Sequence, residues 1–264
     1  MSIVNRKQKF IYLKSRKTAS SSSEIHLIVN SEFGNDIYYT SREIVKMGFP
    51  RSRKNKTLIP GQAKYWFDVQ KNHINLFKLR GVHRIFYSLL QHATLKRIQF
   101  LFGKKFFNEA FKITSVRNPW DALVSFYLWE KSGHQGRVSP KDIEWDSWLD
   151  SVLRIKEPGK LSLAQEFLLY PYIFLEGKLG IDQFIYFEDL ESSFKNLSDK
   201  LGADIKPFTR NSFHFKKSKE RKDYRFYFTD TQAEQVENHF RKYLDLIFYK
   251  YDEIGKTPCS VSGK

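Results

Sequence analysis

The stretch Phe10–Leu27, F-I-Y-L-K-S-R-K-T-A-S-S-S-S-E-I-H-L, decides how the rest of the chain is read. Phe10 to Leu13 is a short apolar run, the pattern of a buried strand. A polar turn follows, and Glu24-Ile25-His26-Leu27-Ile28-Val29 opens an apolar stripe that predicts a helix. Strand, turn and helix in that order aim backbone N–H groups and the positive end of a helix dipole at one point, where an anion is favoured. Lys17 adds a cation in the turn, and Thr18, Ser20, Ser21, Ser22 and Ser23 add hydroxyl donors, so the stretch suits a phosphate or sulfate group. A plain serine-rich helix start fits the same letters, with Ser20 or Ser21 as the cap and Glu24 closing a capping box. No glycine precedes Lys17, so the G-x-x-x-x-G-K-[ST] phosphate loop is not present.

The chain has 264 residues, enough for one large domain or two small ones. Hydrophobic residues make up 41% and Phe alone contributes 24 positions, which implies a packed core rather than disorder. A net charge of +16 points to anionic partners: a nucleotide, an acidic glycan, nucleic acid or a membrane surface. The single cysteine, Cys259, allows no intrachain disulfide and favours a reducing compartment or a fold indifferent to redox. No apolar run approaches the roughly 18 residues of a membrane span, and Met1 to Lys9 lacks the apolar core of a signal peptide, so a cytoplasmic location is expected.

Ser31 to Gly61 is polar and irregular, with Arg51, Arg53, Lys54 and Lys56 among its basic residues, and reads as a long loop or excursion. Leu76 to Leu79 is a weak strand candidate, and Ile85, Leu89 and Leu90 begin a helical pattern. Leu95, Ile98 and Phe102 predict an amphipathic helix ending at Gly103. Phe111 to Val116 is the clearest strand. Asn118 is a helix cap, Pro119 suits the first helical position, and the helix runs on toward Gly133. Further helices are expected from Trp145 to Val152, from Leu163 to Tyr170 and from Asp189 to Leu201, the last closed by Gly202. Phe184 to Phe187 reads as a short strand. A final helix starts at Thr229, with Gln232 placed for a capping box. Strands alternating with helices imply an α/β fold with a mostly parallel sheet.

Arg117 leaves its strand at the carboxyl edge of that sheet, where open α/β folds place ligands. Ser125 follows Asn118 by about two helical turns, at roughly 3.6 residues per turn, so both lie on one face. Arg117, the helix N–H groups and Ser125 form a second candidate phosphate site, although an arginine paired to a nearby acid fits the same residues.

K-T-A-S-S-S-S after the first strand and V-R-N-P-W-D-A-L-V-S-F-Y later in the chain together resemble the sulfotransferases, most closely the carbohydrate-type family that includes heparan sulfate 2-O-sulfotransferases and related bacterial enzymes. L-Q-H-A-T-L-K-R-I-Q-F-L-F-G, F-I-Y-F-E-D-L and Y-R-F-Y-F-T-D-T are similar to further segments of that family, so the likeness spans roughly Phe10 to Tyr251. It implies a P-loop-NTPase-like three-layer fold, a central mostly parallel sheet flanked by helices. The single domain would cover 1–253, with 31–80 as a long loop and 254–264 as a flexible tail. It also implies 3′-phosphoadenosine 5′-phosphosulfate as co-substrate and no metal. Carried over by position, Lys17, Thr18, Ala19, Ser20, Ser21 and Ser22 hold the 5′-phosphosulfate, and Arg117 and Ser125 the 3′-phosphate. Two departures stand out: Arg16 replaces the family's proline and Ala19 its glycine, and an alanine reproduces the loop only if φ stays negative there.

Sulfuryl transfer requires a base, and histidine suits neutral pH. The resemblance assigns that role to His92, which precedes Arg117 by the family's spacing, with His83 as rival; Lys17 would neutralise charge on the bridging oxygen. The basic run His214 to Arg225 resembles a loop that closes over the co-substrate, with Arg225 as its candidate contact, and equally fits a grip on an anionic acceptor or a solvated charged segment. Glu188 fits a buried anchor, a substrate contact or an ordinary helix-start acid. The expected acceptor is a hydroxyl on a glycan or other anion-bearing molecule, with no nucleic acid and no membrane span. Two other classes fit parts of the sequence: an ATP-dependent kinase of P-loop-like fold, and a basic nucleic-acid-binding module.

Overall fold

The computed structural model describes residues 2–6, 8–30, 92–132, 143–208, 222–247 and 249–252. The 31–80 excursion, Leu76 to Leu79, His83, Ile85 to Leu90, most of the basic run and the tail with Cys259 lie outside the described residues.

A four-stranded sheet organises the chain in the order β1 (Ile3–Asn5), β2 (Phe10–Leu13), β3 (Phe111–Val116) and β6 (Gln183–Tyr186). β2, β3 and β6 run parallel, with Tyr12 beside Ile113 and Ser115 beside Ile185; β1 joins β2 antiparallel at the edge. The sheet is therefore mixed and mostly parallel. Phe184 to Tyr186 pairs as predicted, but Phe187 turns away into a 3₁₀ turn over Phe187–Asp189.

Both faces of β2 are buried, which is why it reads as an uninterrupted apolar run. Ile11 and Leu13 pack with Leu95, Ile98 and Leu101 of α2 (Leu95–Phe102) and Phe107 of α3 (Lys104–Glu109). Phe10 and Tyr12 point the other way, with Ile113 and Ile185, against Leu27 of α1 (Ser20–Asn30) and Phe194 and Leu197 of α8 (Leu190–Leu201). Gly202 closes α8 in the left-handed conformation at φ +57°.

A third core lies beyond the sheet's carboxyl edge. There α4 (Pro119–Lys131) meets α5 (Trp145–Leu153), α6 (Leu163–Leu168), α7 (Tyr170–Ile173) and α9 (Asp230–Ile247) through Trp120, Phe126, Trp148, Leu168 and Phe240. The single helix expected from Leu163 to Tyr170 is instead two short ones. Pro171, which has no N–H to continue the ladder, sits in the first turn of the second. A two-residue-per-strand hairpin, β4 (Phe174–Leu175) with β5 (Lys178–Leu179), follows. At the amino end of the sheet a cleft of about 460 Å³ is lined by Phe107, Lys112, Gly180, Ile181 and Asp182, away from the residues singled out by sequence.

Candidate functional site

The parallel strands deliver three junctions to one rim: 14–19 after β2, Arg117-Asn118 after β3, and Phe187-Glu188 after β6. Arg117 ties them together. Its Nη1 donates to the Lys17 carbonyl at 2.9 Å, its guanidinium stacks 4.1 Å above the Phe187 ring, and it forms an ion pair with Asp121 one helical turn on. Burial lowers its pKa to about 10, opposed by Glu188, so it stays charged at neutral pH. Asp121 is thus the nearby acid that the sequence allowed for. Asn118 caps α4 as expected, accepting from the N–H groups of Trp120 and Asp121.

Glu188 is an anchor between two of these junctions. It accepts from the Asn118 N–H at 2.9 Å and from the Tyr249 hydroxyl, and burial raises its carboxyl above the usual 4.5. Tyr243 donates to the Arg117 carbonyl at 3.3 Å. Neither tyrosine carries a local sequence signal, because both arrive from the far end of the chain.

The turn after β2 differs from expectation in three respects. Ala19 has φ +49° and Lys17 φ +61°, so both take the left-handed conformation that glycine favours. The condition of a negative φ at Ala19 is not met, because the turn must reverse direction between a buried strand and a buried helix. Glu24 closes no capping box: it is buried and receives Lys14 Nζ at 2.6 Å. Several hydroxyls face inward. Ser15 donates to the Ser115 carbonyl at 2.5 Å, leaving Thr18 to donate to Ser15 at 2.8 Å, and Ser20 donates to the Ser15 carbonyl at 2.6 Å. Thr18, Ser20 and Ser22 are buried, while Ser21 is half-buried and its hydroxyl has no partner among the described residues.

What the turn offers outward is backbone. The N–H groups of Ser22 and Ser23 fold back onto the Ala19 carbonyl, but those of Thr18, Ala19, Ser20 and Ser21 have no acceptor among the described residues. Four consecutive amides at the start of α1, beside a lysine, can hold a tetrahedral oxyanion. The Lys17 ammonium lies 5.3 Å from the centre of the Trp129 ring.

His92 sits against the same turn. Its Nδ1 is 3.0 Å from the Lys14 carbonyl, and since a carbonyl only accepts, Nδ1 carries the proton and Nε2 presents a lone pair. Burial, with the charges of Lys14 and Arg16 behind it, lowers its pKa to about 3, so the ring is neutral at physiological pH.

The chain matches no known family model, no curated protein and no solved structure. Its chemistry therefore rests on the residues.

Ser125 is half-buried on α4, and its hydroxyl has no hydrogen-bond partner among the described residues. Arg225 is exposed on a 3₁₀ turn over Tyr224–Tyr227 and is held by Asp223 at 2.9 Å, with no contact to Lys17 or Arg117. The adjacent Tyr224 hydroxyl does lie 3.5 Å from Asn118 Nδ2. Thus Lys17, the amides of the turn, Arg117 and His92 share one rim, and Arg225 borders it. Among the described residues no group of three or more His, Cys, Asp or Glu is placed to hold a metal ion, and no helix is long and apolar enough to cross a membrane.

Proposed function

We propose that the chain is a sulfotransferase of P-loop-like α/β fold that moves a sulfuryl group from 3′-phosphoadenosine 5′-phosphosulfate to a hydroxyl acceptor on a carbohydrate. The observation that carries the reading is the hydrogen bond from Arg117 to the Lys17 carbonyl, which brings the two sequence motifs to within one side chain of each other. A nucleotide with phosphates at both ends needs two anion sites that close together.

The residues fit such a ligand unequally. The four amides from Thr18 to Ser21 and Lys17 suit the 5′ end, with the inward hydroxyls shaping the turn rather than touching the ligand. Arg117 is 7% exposed and committed to Asp121, so its role toward the 3′ end is to set the rim, with the half-buried Ser125 nearer the solvent. His92 offers a neutral Nε2 to take the acceptor's proton. A bound polyanion would offset Lys14 and Arg16 and raise the basicity of that nitrogen, which makes His92 a better base when the donor is present.

The test is a calorimetric comparison of adenosine 3′,5′-bisphosphate with Mg·ATP, followed by a labelled-sulfate transfer screen over glycans and small alcohols. Tight bisphosphate binding and label transfer are expected; preference for Mg·ATP would replace this reading with a kinase. His92→Ala is expected to lose nearly all turnover while binding the bisphosphate as the parent does, and normal turnover in that variant would remove His92 from the mechanism.

A further inference from the structure

In a transfer of this kind the moving group must lie between the turn that holds the donor phosphate and the base that takes the acceptor's proton. Arg16 is the residue next to Lys17 in that turn. Its guanidinium stands 4.2 Å over the Phe167 ring, while the neighbouring Lys17 ammonium stands over Trp129. The two ring centres are 5.7 Å apart, so the two consecutive cations rest on neighbouring rings. The charge of Arg16 is felt at the buried Tyr172 hydroxyl and at His92.

The other deeply placed cations of the rim have acids: Lys14 has Glu24, and Arg117 has Asp121. Arg16 forms no ion pair among the described residues, and its Nε is buried without an acceptor. Holding a partly dry guanidinium without a counter-charge costs free energy, and its flat fork of donors matches the oxygens of a tetrahedral anion. We infer that Arg16 is a second cation for the sulfuryl group in flight, binding its non-bridging oxygens between Lys17 and His92.

This rests on the sulfotransferase reading. In the step, His92 Nε2 accepts the proton of the acceptor hydroxyl as that oxygen bonds to sulfur. The bond from sulfur to the bridging oxygen breaks, and its electron pair stays on the phosphate beside Lys17. Arg16 keeps its protons and spreads the charge of the three sulfuryl oxygens. The residue that departs from the family's proline thereby gains a role.

A carboxylate or sulfate on the acceptor would satisfy the same chemistry, so the experiment separates the sources. Calorimetry on the full chain compares 3′-phosphoadenosine 5′-phosphosulfate with adenosine 3′,5′-bisphosphate, which lacks the sulfuryl group. In Arg16→Ala the phosphosulfate is expected to bind about tenfold more weakly, the loss of one charge-assisted hydrogen bond, while the bisphosphate changes by less than about twofold. Arg16→Lys should recover part of the loss, and thermal melts verify that both variants fold. Equal weakening of both nucleotides would put Arg16 on the 5′-phosphate and overturn the inference. Unchanged binding of both, with a lost preference for acidic over neutral acceptor sugars, would put it on the acceptor and overturn it too. A parent chain that binds neither nucleotide fails the sulfotransferase reading itself, whereas a parent that binds both and an Arg16→Ala variant that binds both equally well fails only this inference.

Discussion

Replacing Glu24 with glutamine isolates the energetics of a charge pair that holds the site's turn in place. Lys14 Nζ lies 2.6 Å from Glu24 Oε2, and the two side chains are 6% and 0% exposed. Removing one charge leaves the other dry and uncompensated, a loss of about 3–5 kcal/mol for buried pairs. In a chain of this size each kcal/mol moves the melting temperature by about 2–4 °C, so Glu24→Gln should melt roughly 6–20 °C below the parent. The double variant Lys14→Met/Glu24→Leu removes both charges while keeping most of the volume. Replacing a whole buried pair with apolar groups is often neutral, so it should recover to within about 1–2 kcal/mol of the parent. Urea unfolding followed by tryptophan fluorescence, with a thermal scan as a second probe, measures all three proteins under one two-state criterion. A Glu24→Gln variant within about 1 kcal/mol of the parent would refute the reasoning, because the pair would then be effectively solvated. So would a double variant as unstable as the single one. The pair also bears on the site, since the Lys14 carbonyl fixes the tautomer of His92.

Two further outcomes follow from the rim. Ala19→Gly should stabilise the chain by about 0.5–1 kcal/mol in the same urea assay, because φ +49° strains alanine by more than glycine's extra chain entropy costs; a loss of more than about 1 kcal/mol would contradict it. Glu188 has a folded-state pKa above its ordinary 4.5, so the folded chain binds more protons than the unfolded one just above that pH. Stability contributed by this group is therefore present at low pH and lost as pH rises from 4.5 through the folded value. Glu188→Gln should remove that loss, making the parent-minus-variant stability difference fall with rising pH in urea melts from pH 4 to 7; a difference that rises would show that the acid is held ionised instead.

The legible parts of the fold were those written locally. Phe10 to Leu13 is an apolar run, and Phe111 to Val116 carries the strand-favouring Phe111, Ile113, Thr114 and Val116, so both are read as strands. Asn118-Pro119 fixed the start of α4, and Thr229 with Gln232 forms the capping box expected at the start of the last helix. β1, α3 and the β4–β5 hairpin carried no usable period, being two to six residues long. In the candidate site the cations and His92 were visible as residue types, but their partners were not. Whether a serine hydroxyl in the turn faces a ligand or the core depends on Ser115, a hundred residues away on the next strand.

By itself the sequence determined the order of strand, turn and helix, the two basic motifs and the placement of the motifs at strand ends, because these follow from local periodicity, capping and chain direction. Only the tertiary structure decided which cations are neutralised. Lys14 and Arg117 are paired with acids, Arg16 lies over an aromatic ring and has no acid among the described residues, and the open donors of the turn are amides. The reason is physical: a charge's worth depends on what displaces water around it, and that is set by neighbours brought from distant parts of the chain.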